Sequence, residues 1–379
     1  MFVRRCAAVV VAFVAATAVA GTAQAAPDWN SSPVKAKWEA LGGASFAGEK
    51  VGDEVVLENG IRWARFSRYD IVITWRESAG AHWMSGAISR LWLGTSPATS
   101  AATMDQVPVN RGAQAGAAIA YDTGYSVYYS DAYGAHAVGG PTRDKYWANG
   151  SVTGRFGWPT SGRLDIGDGT GTEQRFSEAV SFFDQAGEMP PFWISGALRD
   201  KYRSLGGPEP TSRVDWLTSD QVEQPGGGWS VQIHGNEGIY WSPATGAALV
   251  HSGPNEVYLA KGGPAGPFGY PKGDTRRRSG EPGEQSNVTE FVQNYGLYQA
   301  DHVRGTYWMG GGLRDTYEAI ETSSGQRLGD PRTNPAPGAG HGRPVRPVRR
   351  GPGRRAAVGS AHRWSRPART GARRTARGR

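Results

Sequence analysis

Pairs of adjacent residues that include one or two large aromatic side chains recur along the sequence, each before a turn. The pairs are Thr74-Trp75, Tyr128-Tyr129, Phe182-Phe183, Tyr240-Trp241 and Tyr298-Gln299. Neighbours on a strand point to opposite faces, so one member can enter the core while the other faces a groove, where a flat ring suits the apolar face of a sugar. The candidate ligand-binding residues are therefore Trp75, Tyr129, Phe183, Tyr240, Trp241 and Tyr298. The alternative is that both members of a pair are packed in the core.

Motifs for nucleophilic, metal-dependent or phosphate chemistry are missing from the sequence. It contains no G-x-S-x-G elbow, no H-E-x-x-H and no phosphate-binding loop. Carboxylates are numerous, so a hydrolase that acts through a carboxylate stays an alternative. Acids that recur in each repeat are better explained by the repeat itself than by one reaction site. The sequence therefore predicts a protein that is not an enzyme and has no cofactor.

Two stretches hint at metal ions. His82 and His136 occupy the same place in two Gly-Ala-His stretches, and residues 165–173 (DIGDGTGTE) have an acid spacing that suggests calcium. Three other repeats have Phe192, Ala248 and Tyr307 near that place, and the acidic stretch lacks the full ligand series of a calcium loop. A solvated turn and a hairpin turn explain the two stretches more simply, so we expect no metal site.

The first 25 residues predict a cleaved signal peptide. Arg4 and Arg5 precede an apolar run, and residues 23–25 (AQA) form a small-residue cleavage site. Cys6, the only cysteine, would be removed with this segment, so the exported chain must be stable through packing without disulfides. No other segment is apolar over the roughly 18 residues that a membrane helix needs, so we expect a secreted protein outside the membrane.

The formal charge of +8 is unevenly distributed. Residues 332–379 contain 14 arginines and no acidic residue, whereas residues 26–331 contain 26 basic and 34 acidic side chains. The body is therefore acidic, which has the wrong sign for binding a phosphate backbone. We expect no nucleic-acid partner.

A repeat of about 55 residues organises the chain between residues 34 and 331. Each unit opens on a short helical segment whose aromatic residue follows a charged pair, at Trp38, Tyr146, Tyr202, Tyr258 and Tyr317, and a further unit is expected near Trp92. A segment rich in glycine and proline follows, and then segments in which apolar and polar residues alternate as in β-strands. The predicted units are 34–88, 89–142, 143–198, 199–254, 255–312 and a partial unit at 313–331, after a linker at 26–33.

These units resemble the LGFP-repeat family. The resemblance rests on residues 34–43 (VKAKWEALGG), on the phrases 156–159 (FGWP) and 268–271 (FGYP), and on 239–247 (IYWSPATGA). It implies a secreted protein associated with the actinobacterial cell wall. A wall glycan, either peptidoglycan or an attached polysaccharide, is the partner that the resemblance favours, with another secreted wall protein as a second candidate.

The repeat predicts an all-β fold with short helical turns. One unit of four short strands cannot bury an apolar face alone, so units must pack on their neighbours. A β-propeller-like ring of five blades removes exposed strand edges and is favoured, with an open β-solenoid array as the alternative. We expect a monomer.

The end of the chain allows two interpretations. The partial unit at 313–331 either completes the first blade or is the remnant of a further repeat. The Arg/Pro/Gly/Ala mixture at 332–379 has no apolar periodicity and predicts disorder, either as a true basic tail or as the product of a shifted reading frame. The favoured function is that of a non-catalytic wall-binding protein; a wall hydrolase and a purely structural or protein-binding propeller are the alternatives.

Overall fold

The computed structural model describes residues 28–95, 99–167, 169–187, 189–278, 286–300, 305–324 and 328–335. The predicted signal peptide and residues 336–379 of the predicted tail lie outside these ranges. Within them, no helix has both the length and the apolar character to span a bilayer.

Twenty strands of the described chain form five four-stranded antiparallel sheets, each a meander of consecutive strands. The first sheet contains β1 (Lys50–Val56), β2 (Arg62–Phe66), β3 (Val72–Arg76) and β4 (Gly80–Met84). The second contains β5 (Val107–Arg111), β6 (Gln114–Ala120), β7 (Tyr125–Ser130) and β8 (Gly134–Gly139), and the third β9 (Leu164–Ile166), β10 (Gly171–Phe176), β11 (Val180–Gln185) and β12 (Phe192–Ser195). The fourth contains β13 (Val222–Gln224), β14 (Gly228–Ile233), β15 (Glu237–Ser242) and β16 (Gly246–Val250), and the fifth β17 (Arg276–Arg278), β18 (Ser286–Glu290), β19 (Tyr295–Ala300) and β20 (Thr306–Gly310).

Each sheet is therefore one blade, built from one sequence repeat. In a β-solenoid, strands of successive repeats would pair with one another, whereas here each sheet takes its four strands from a single repeat. The prediction of an all-β, β-propeller-type protein with five blades is confirmed. The open β-solenoid alternative is wrong.

A short helix leads into each blade and one more follows the last. The leading helices are α1 (Pro33–Ala40) with the single turn α2 (Ala44–Ala47), α3 (Gly86–Thr95), α4 (Gly140–Ala148), α5 (Gly196–Ser204) and α6 (Ser252–Ala260), and the last is α7 (Gly311–Ser324). Local sequence explains the start of α1, because the Ser32 hydroxyl accepts from the Val34 amide at 3.1 Å and Pro33 occupies the first helical position.

The hydrophobic core of the described residues is divided into six clusters, four of which join successive blades. One cluster joins Phe183 of the third blade, Tyr202 of α5, and Ile239 and Leu249 of the fourth blade, all buried. A blade alone would leave such faces in water. Burying them is worth about 25 cal/mol per Å² of apolar surface, so each blade and its helix depend on the neighbouring blade.

One hydrogen bond recurs in all six helical segments and ties each helix to the segment that follows it. The aromatic side chain of the helix donates to a backbone carbonyl of that segment, which we call the lead-in segment of the blade. The pairs are Trp38–Gly48 (3.1 Å), Trp92–Ser100 (3.0 Å), Tyr146–Gly157 (2.6 Å), Tyr202–Asp215 (2.7 Å), Tyr258–Gly269 (2.6 Å) and Tyr317–Gly329 (2.8 Å). The helix that carries Trp92 and the segment after the fifth blade both have this bond.

The lead-in segment needs glycine at its turn in the third unit. Gly157 has a φ of +72°, and a Cβ there would lie 2.1 Å from the hydroxyl oxygen of Ser177. Any other residue would combine a left-handed backbone with a clash. This requirement explains the Gly-aromatic-Pro phrase in physical terms.

Three of the helices form an ion pair with a lead-in segment one blade further along the chain. For example, α1 leads into the first blade and pairs with the lead-in segment of the second. These junction ion pairs are Lys37–Asp105 (2.7 Å), Lys145–Asp220 (2.5 Å) and Lys201–Asp274 (2.6 Å). Each aspartate also accepts a backbone N–H from the fourth strand of the preceding blade, at Trp83, Trp193 and Leu249. Although burial alone would raise the pKa of Asp105, Lys37, the Trp83 amide and His82 together hold it below its usual value.

Residues 328–335 take the place of a lead-in segment beyond the fifth blade. Asn334 accepts the Trp308 amide at 3.1 Å, the role that aspartates play at the three junction ion pairs. Asp330 pairs with Arg278 at 3.1 Å. The partial unit therefore packs on the fifth blade, and ordered chain continues past residue 331, where the tail was expected to begin.

We expect Tyr258→Phe to lower the free energy of unfolding by about 1–2 kcal/mol, because the buried Gly269 carbonyl loses its donor. Urea denaturation followed by tryptophan fluorescence measures this. The control is Tyr69→Phe, since the Tyr69 side chain is 74% exposed. Equal stability of the two variants would contradict a structural role for the recurring bond.

Candidate ligand-binding cleft between the third and fourth blades

The third strand of each blade carries the aromatic pairs, and its hairpin fixes which residues are equivalent. The register pairs Phe176 with Val180 and Ile233 with Glu237, so Phe183 is the counterpart of Tyr240. The pair predicted at residues 182–183 was therefore wrong by one position, because the equivalent pair is Phe183-Asp184. The phenylalanine that precedes Phe183 concealed this offset, because Phe182 and Phe183 together look like an aromatic pair in the sequence.

The first member of every aligned pair is buried, as expected for the core side of the strand. These residues are Thr74, Tyr128, Phe183, Tyr240 and Tyr298, none more than 4% exposed. The second members are Trp75, Tyr129, Asp184, Trp241 and Gln299, all partly buried. In all five blades the first member of the aligned pair is buried and the second is partly buried.

Three of the six candidate residues consequently lie in the core. The Phe183 ring packs edge-on against Tyr202 with centroids 5.1 Å apart, and Tyr298 packs against Tyr317 at 5.9 Å. The Tyr240 hydroxyl donates to Asn255 Oδ1 at 2.6 Å, and burial raises the pKa of Tyr240 to about 12. Their ring faces are covered, so their assignment as ligand-binding residues is corrected.

The other three candidates lie on three different blades, and the structure does not bring them together. Trp75 packs against the core of the first blade, and Tyr129 packs beside the second while its hydroxyl donates to Asp131 at 2.6 Å. Of these three, Trp241 lines a cleft with a second aromatic ring.

That cleft, which we call the tryptophan cleft, has a volume of about 290 Å³ and opens between the third and fourth blades. Its lining consists of Ser195, Gly196, Ala197, Leu198, Gln221, Trp229 and Trp241. Trp229 on β14 lies directly opposite Trp241 on β15, so two indoles stand side by side on one face of the sheet. Opposite-strand neighbours of this kind lie about 5 Å apart at Cβ.

The fourth blade is distinguished by aromatic residues at both of these positions. At the position of Trp229 the other blades carry Arg62, Ala117, Thr172 and Asn287, each opposite its own second-member residue. Sequence reasoning missed Trp229. The signal that could have found it is the period-2 alternation of residues 228–233 (GWSVQI), which places Trp229 on the face of Trp241 once the hairpin register is known.

Polar groups at one side of the tryptophan cleft come from Ser195 and Gln221. Gln221 Oε1 accepts from the Ser195 amide at 2.8 Å, and the Ser195 hydroxyl lies 3.3 Å from the same oxygen. These bonds fix the side-chain amide, whose Nε2 hydrogens are then the donors available to a ligand. The described residues of the lining include no charged side chain, so they can stack on and hydrogen-bond a neutral ligand but supply no acid or base.

Two carboxyl groups outside this cleft, Asp184 and Glu173, have shifted pKa values and lie in ion pairs. Burial raises the pKa of Asp184, opposed by Arg163 at 3.7 Å. Burial would also raise the pKa of Glu173, but Arg175, Ser181 and Arg203 bring it below its usual value. Among the carboxyl groups described here, Asp184 is the one whose shift has the direction that a general acid needs.

Neither histidine candidate has the partners of a metal ligand. His82 contacts Asp105 at 3.2 Å and the Ala79 carbonyl at 2.9 Å, while His136 contacts the Tyr133 carbonyl at 2.7 Å. Residues 164–176 form the β9–β10 hairpin, although Asp168 at its turn lies outside the described residues. In the described ranges no group of three or more His, Cys, Asp or Glu side chains is arranged to hold a metal ion.

Fold and cleft together define a five-bladed propeller-type repeat protein with an aromatic cleft at one blade junction. No family model and no curated protein matches its sequence. Among solved structures it is similar to a streptogramin B lyase (10% identity, covering 67% of this chain and 66% of that one, TM-score 0.13) and to BamB from Moraxella catarrhalis (8%, 68% and 63%, 0.14). YCF48 from Cyanidioschyzon merolae is also similar (9%, 69% and 74%, 0.13).

The chain spans less than two thirds of the length of the lyase and of BamB. Likeness at these TM-scores carries no inference about function. The arrangement of the five sheets defines the fold class, and the function must be argued from the cleft.

We expect Tyr240→Ala to cost about 3–5 kcal/mol of unfolding free energy, because it empties a fully packed site. Trp241→Ala should cost under about 2 kcal/mol, since part of its ring already faces the cleft. Thermal and urea denaturation of the two variants measure the difference. If Trp241→Ala proves as costly as Tyr240→Ala, the indole is a core residue and not a ligand platform.

Proposed function

We propose that the protein binds a glycan through the tryptophan cleft and does not transform it. The observation that carries the proposal is the pair of opposed indoles, Trp229 and Trp241, beside the fixed amide of Gln221. Sugar rings present an apolar face of C–H groups that packs on an aromatic ring, and hydroxyl groups at the edge that accept from an amide. A cleft of about 290 Å³ has room for about one sugar residue of a longer chain, since drug-sized ligands occupy pockets of roughly 300–1,000 Å³.

The glycan we propose is a polymer of the cell wall. The signal-peptide pattern of residues 1–25 supports this proposal, since an exported protein meets the glycans of the cell wall. The uncharged lining favours a neutral stretch of the chain over a phosphate-bearing one.

Weak additional contacts at other blades would strengthen this binding. Trp75 and Tyr129 occupy the position of Trp241 in the first and second blades, each partly buried. A polymer that reaches two or more such positions gains affinity through effective concentration, without any single tight site. The proposal therefore assigns the principal contact to the fourth blade and auxiliary contacts to the first two.

A wall hydrolase is the competing function, and Asp184 is its best candidate for a general acid. Release of reducing ends or muropeptides from purified wall separates the two functions, because a binding protein releases none. A purely structural or protein-binding role predicts no interaction with purified polysaccharide at all.

Co-sedimentation of the exported chain, from residue 26 onward, with purified wall polysaccharide tests the proposal. We expect the wild type to pellet and Trp229→Ala and Trp241→Ala each to weaken pelleting by about tenfold or more, which corresponds to about 1.4 kcal/mol. Tyr69→Ala is the matched control, because it removes an exposed aromatic ring far from the cleft in sequence and should leave pelleting unchanged. Wild-type protein that stays in the supernatant, or cleft variants that pellet like the control, would remove this function.

A further inference from the structure

The junction between the second and third blades lacks the ion pair found at the other three. Leu91 stands one residue before Trp92, where α1, α4 and α5 carry Lys37, Lys145 and Lys201. Gly162 takes the place of the aspartate. It follows Pro159 by three residues, and Pro159 forms an isolated β-bridge with Phe176. The aspartates of the ion pairs likewise follow Ala102, Leu217 and Pro271 by three residues, and these three residues form the corresponding bridges. Both partners of the ion pair are therefore replaced at the same junction, by one apolar side chain and one hydrogen atom.

A third replacement enlarges the same place. Ala137 on β8 pairs with Val127, as Trp83, Trp193, Leu249 and Trp308 pair with the corresponding residues of the other blades. A methyl group thus occupies the position of an indole or a leucine side chain. The volume that Lys, Asp and Trp fill at other junctions is left empty here.

The result is a cavity of about 630 Å³, which we call the α3 cavity. Leu91, Ala137 and Gly162, the three replacements, all line it, together with Trp92, Tyr121 and Val127. The other described residues of the lining add threonine and serine hydroxyls, a tyrosine and an alanine, and none of them is a carboxylate, lysine or arginine. His136, its one imidazole, already contacts the Tyr133 carbonyl at 2.7 Å.

The α3 cavity opens to solvent at one side, where Thr95, Thr99 and Tyr125 are exposed, and its inner wall is formed by the buried Trp92, Tyr121 and Val127. A concave site with an apolar inner wall and a few polar groups is the usual form of a small-molecule site. The three replacements also lie at one place. Helix α3, strand β8 and the lead-in segment of the third blade each carry a smaller or uncharged residue where they meet. Random loss of packing would not be expected to coincide at one point on three separate segments.

We propose that the α3 cavity is a second binding site, which takes an uncharged, mainly apolar small molecule. Apolar walls favour a hydrophobic body, the hydroxyl groups can bond one or two polar atoms, and the lack of an ion-pairing partner disfavours a charged ligand. The site is independent of the proposed glycan binding, since it shares no lining residue with the tryptophan cleft.

Fluorescence titration of the exported chain with N-phenyl-1-naphthylamine, an uncharged apolar probe, tests the proposal. We expect saturable binding of about one probe per chain and a rise in melting temperature with probe concentration. Displacement by 1-decanol or by 1-naphthalenemethanol then distinguishes a site for a hydrocarbon chain from a site for a fused ring. Wild-type protein without saturable binding would overturn the proposal.

The variant L91K/G162D restores at this junction the ion pair of the others, and should fill the cavity. A Cβ at Gly162 has no heavy atom within 4 Å, so the aspartate can be accommodated. We expect probe affinity to fall at least tenfold while the protein stays folded. The matched control is V257K/N334D, which introduces the same pair beyond the fifth blade and should bind the probe like the wild type.

If L91K/G162D fails to fold, Ala137→Leu gives the deciding result, because leucine occupies the equivalent position of the fourth blade at Leu249. Probe binding that survives in a folded filling variant, or is lost equally in V257K/N334D, would show that the probe binds elsewhere and would end the proposal.

Discussion

The hydrogen bond from the helix aromatic residue to the lead-in carbonyl is the interaction on which the rest of the structure depends. It joins the helix of each unit to the segment that precedes the strands. At Trp92, Tyr146 and Tyr258 the bonded groups are buried, so loss of the donor would leave a buried carbonyl without a partner. Tyr146 and Tyr258 also supply the flat surfaces on which the neighbouring phenylalanine rings pack. Helix position, lead-in turn and inter-blade core are thus fixed by one side chain in each unit.

Blade junctions built on this common frame then differ in what fills them. Three junctions close on a lysine and an aspartate, one opens into the α3 cavity, and the end of the fifth blade uses Val257 with Asn334. Lysine and aspartate are present together or absent together at all five places. An unpaired, partly buried charge is costly, which gives a physical reason for this linkage within one sequence. Repetition provides the scaffold, and departures from it provide the cavities.

The repeat and its blades could be predicted because their signals are local. A helical aromatic residue, a Gly/Pro phrase and alternating strands recur at a nearly constant spacing, which was enough to place a unit at Trp92 despite its altered lead-in segment. The alternation within the third strand was also predictable, since it follows from strand geometry alone. The face of the sheet on which each residue of the third blade lies could not be predicted. Phe182 and Phe183 are both aromatic, and only the hairpin register shows which of them is equivalent to Tyr240.

The tryptophan cleft and the α3 cavity were beyond the sequence for a related reason. Trp229 matters because it lies across from Trp241 on another strand, and Leu91, Ala137 and Gly162 matter because three distant segments meet. Such contacts depend on exact equivalence between repeats, which degenerate phrases obscure. Once the registers are known, the same residues can be read as departures from a rule that the other blades obey.

The central claim is that a glycan lies against the indoles of Trp229 and Trp241. It is tested most directly by the indole N–H signals in a ¹⁵N-correlated NMR spectrum, recorded with and without soluble fragments of wall polysaccharide and assigned with Trp229→Phe and Trp241→Phe. The account predicts shifts or broadening at these two indoles, with those of the buried Trp92 and Trp158 unchanged. Binding that leaves both cleft indoles unperturbed would contradict it.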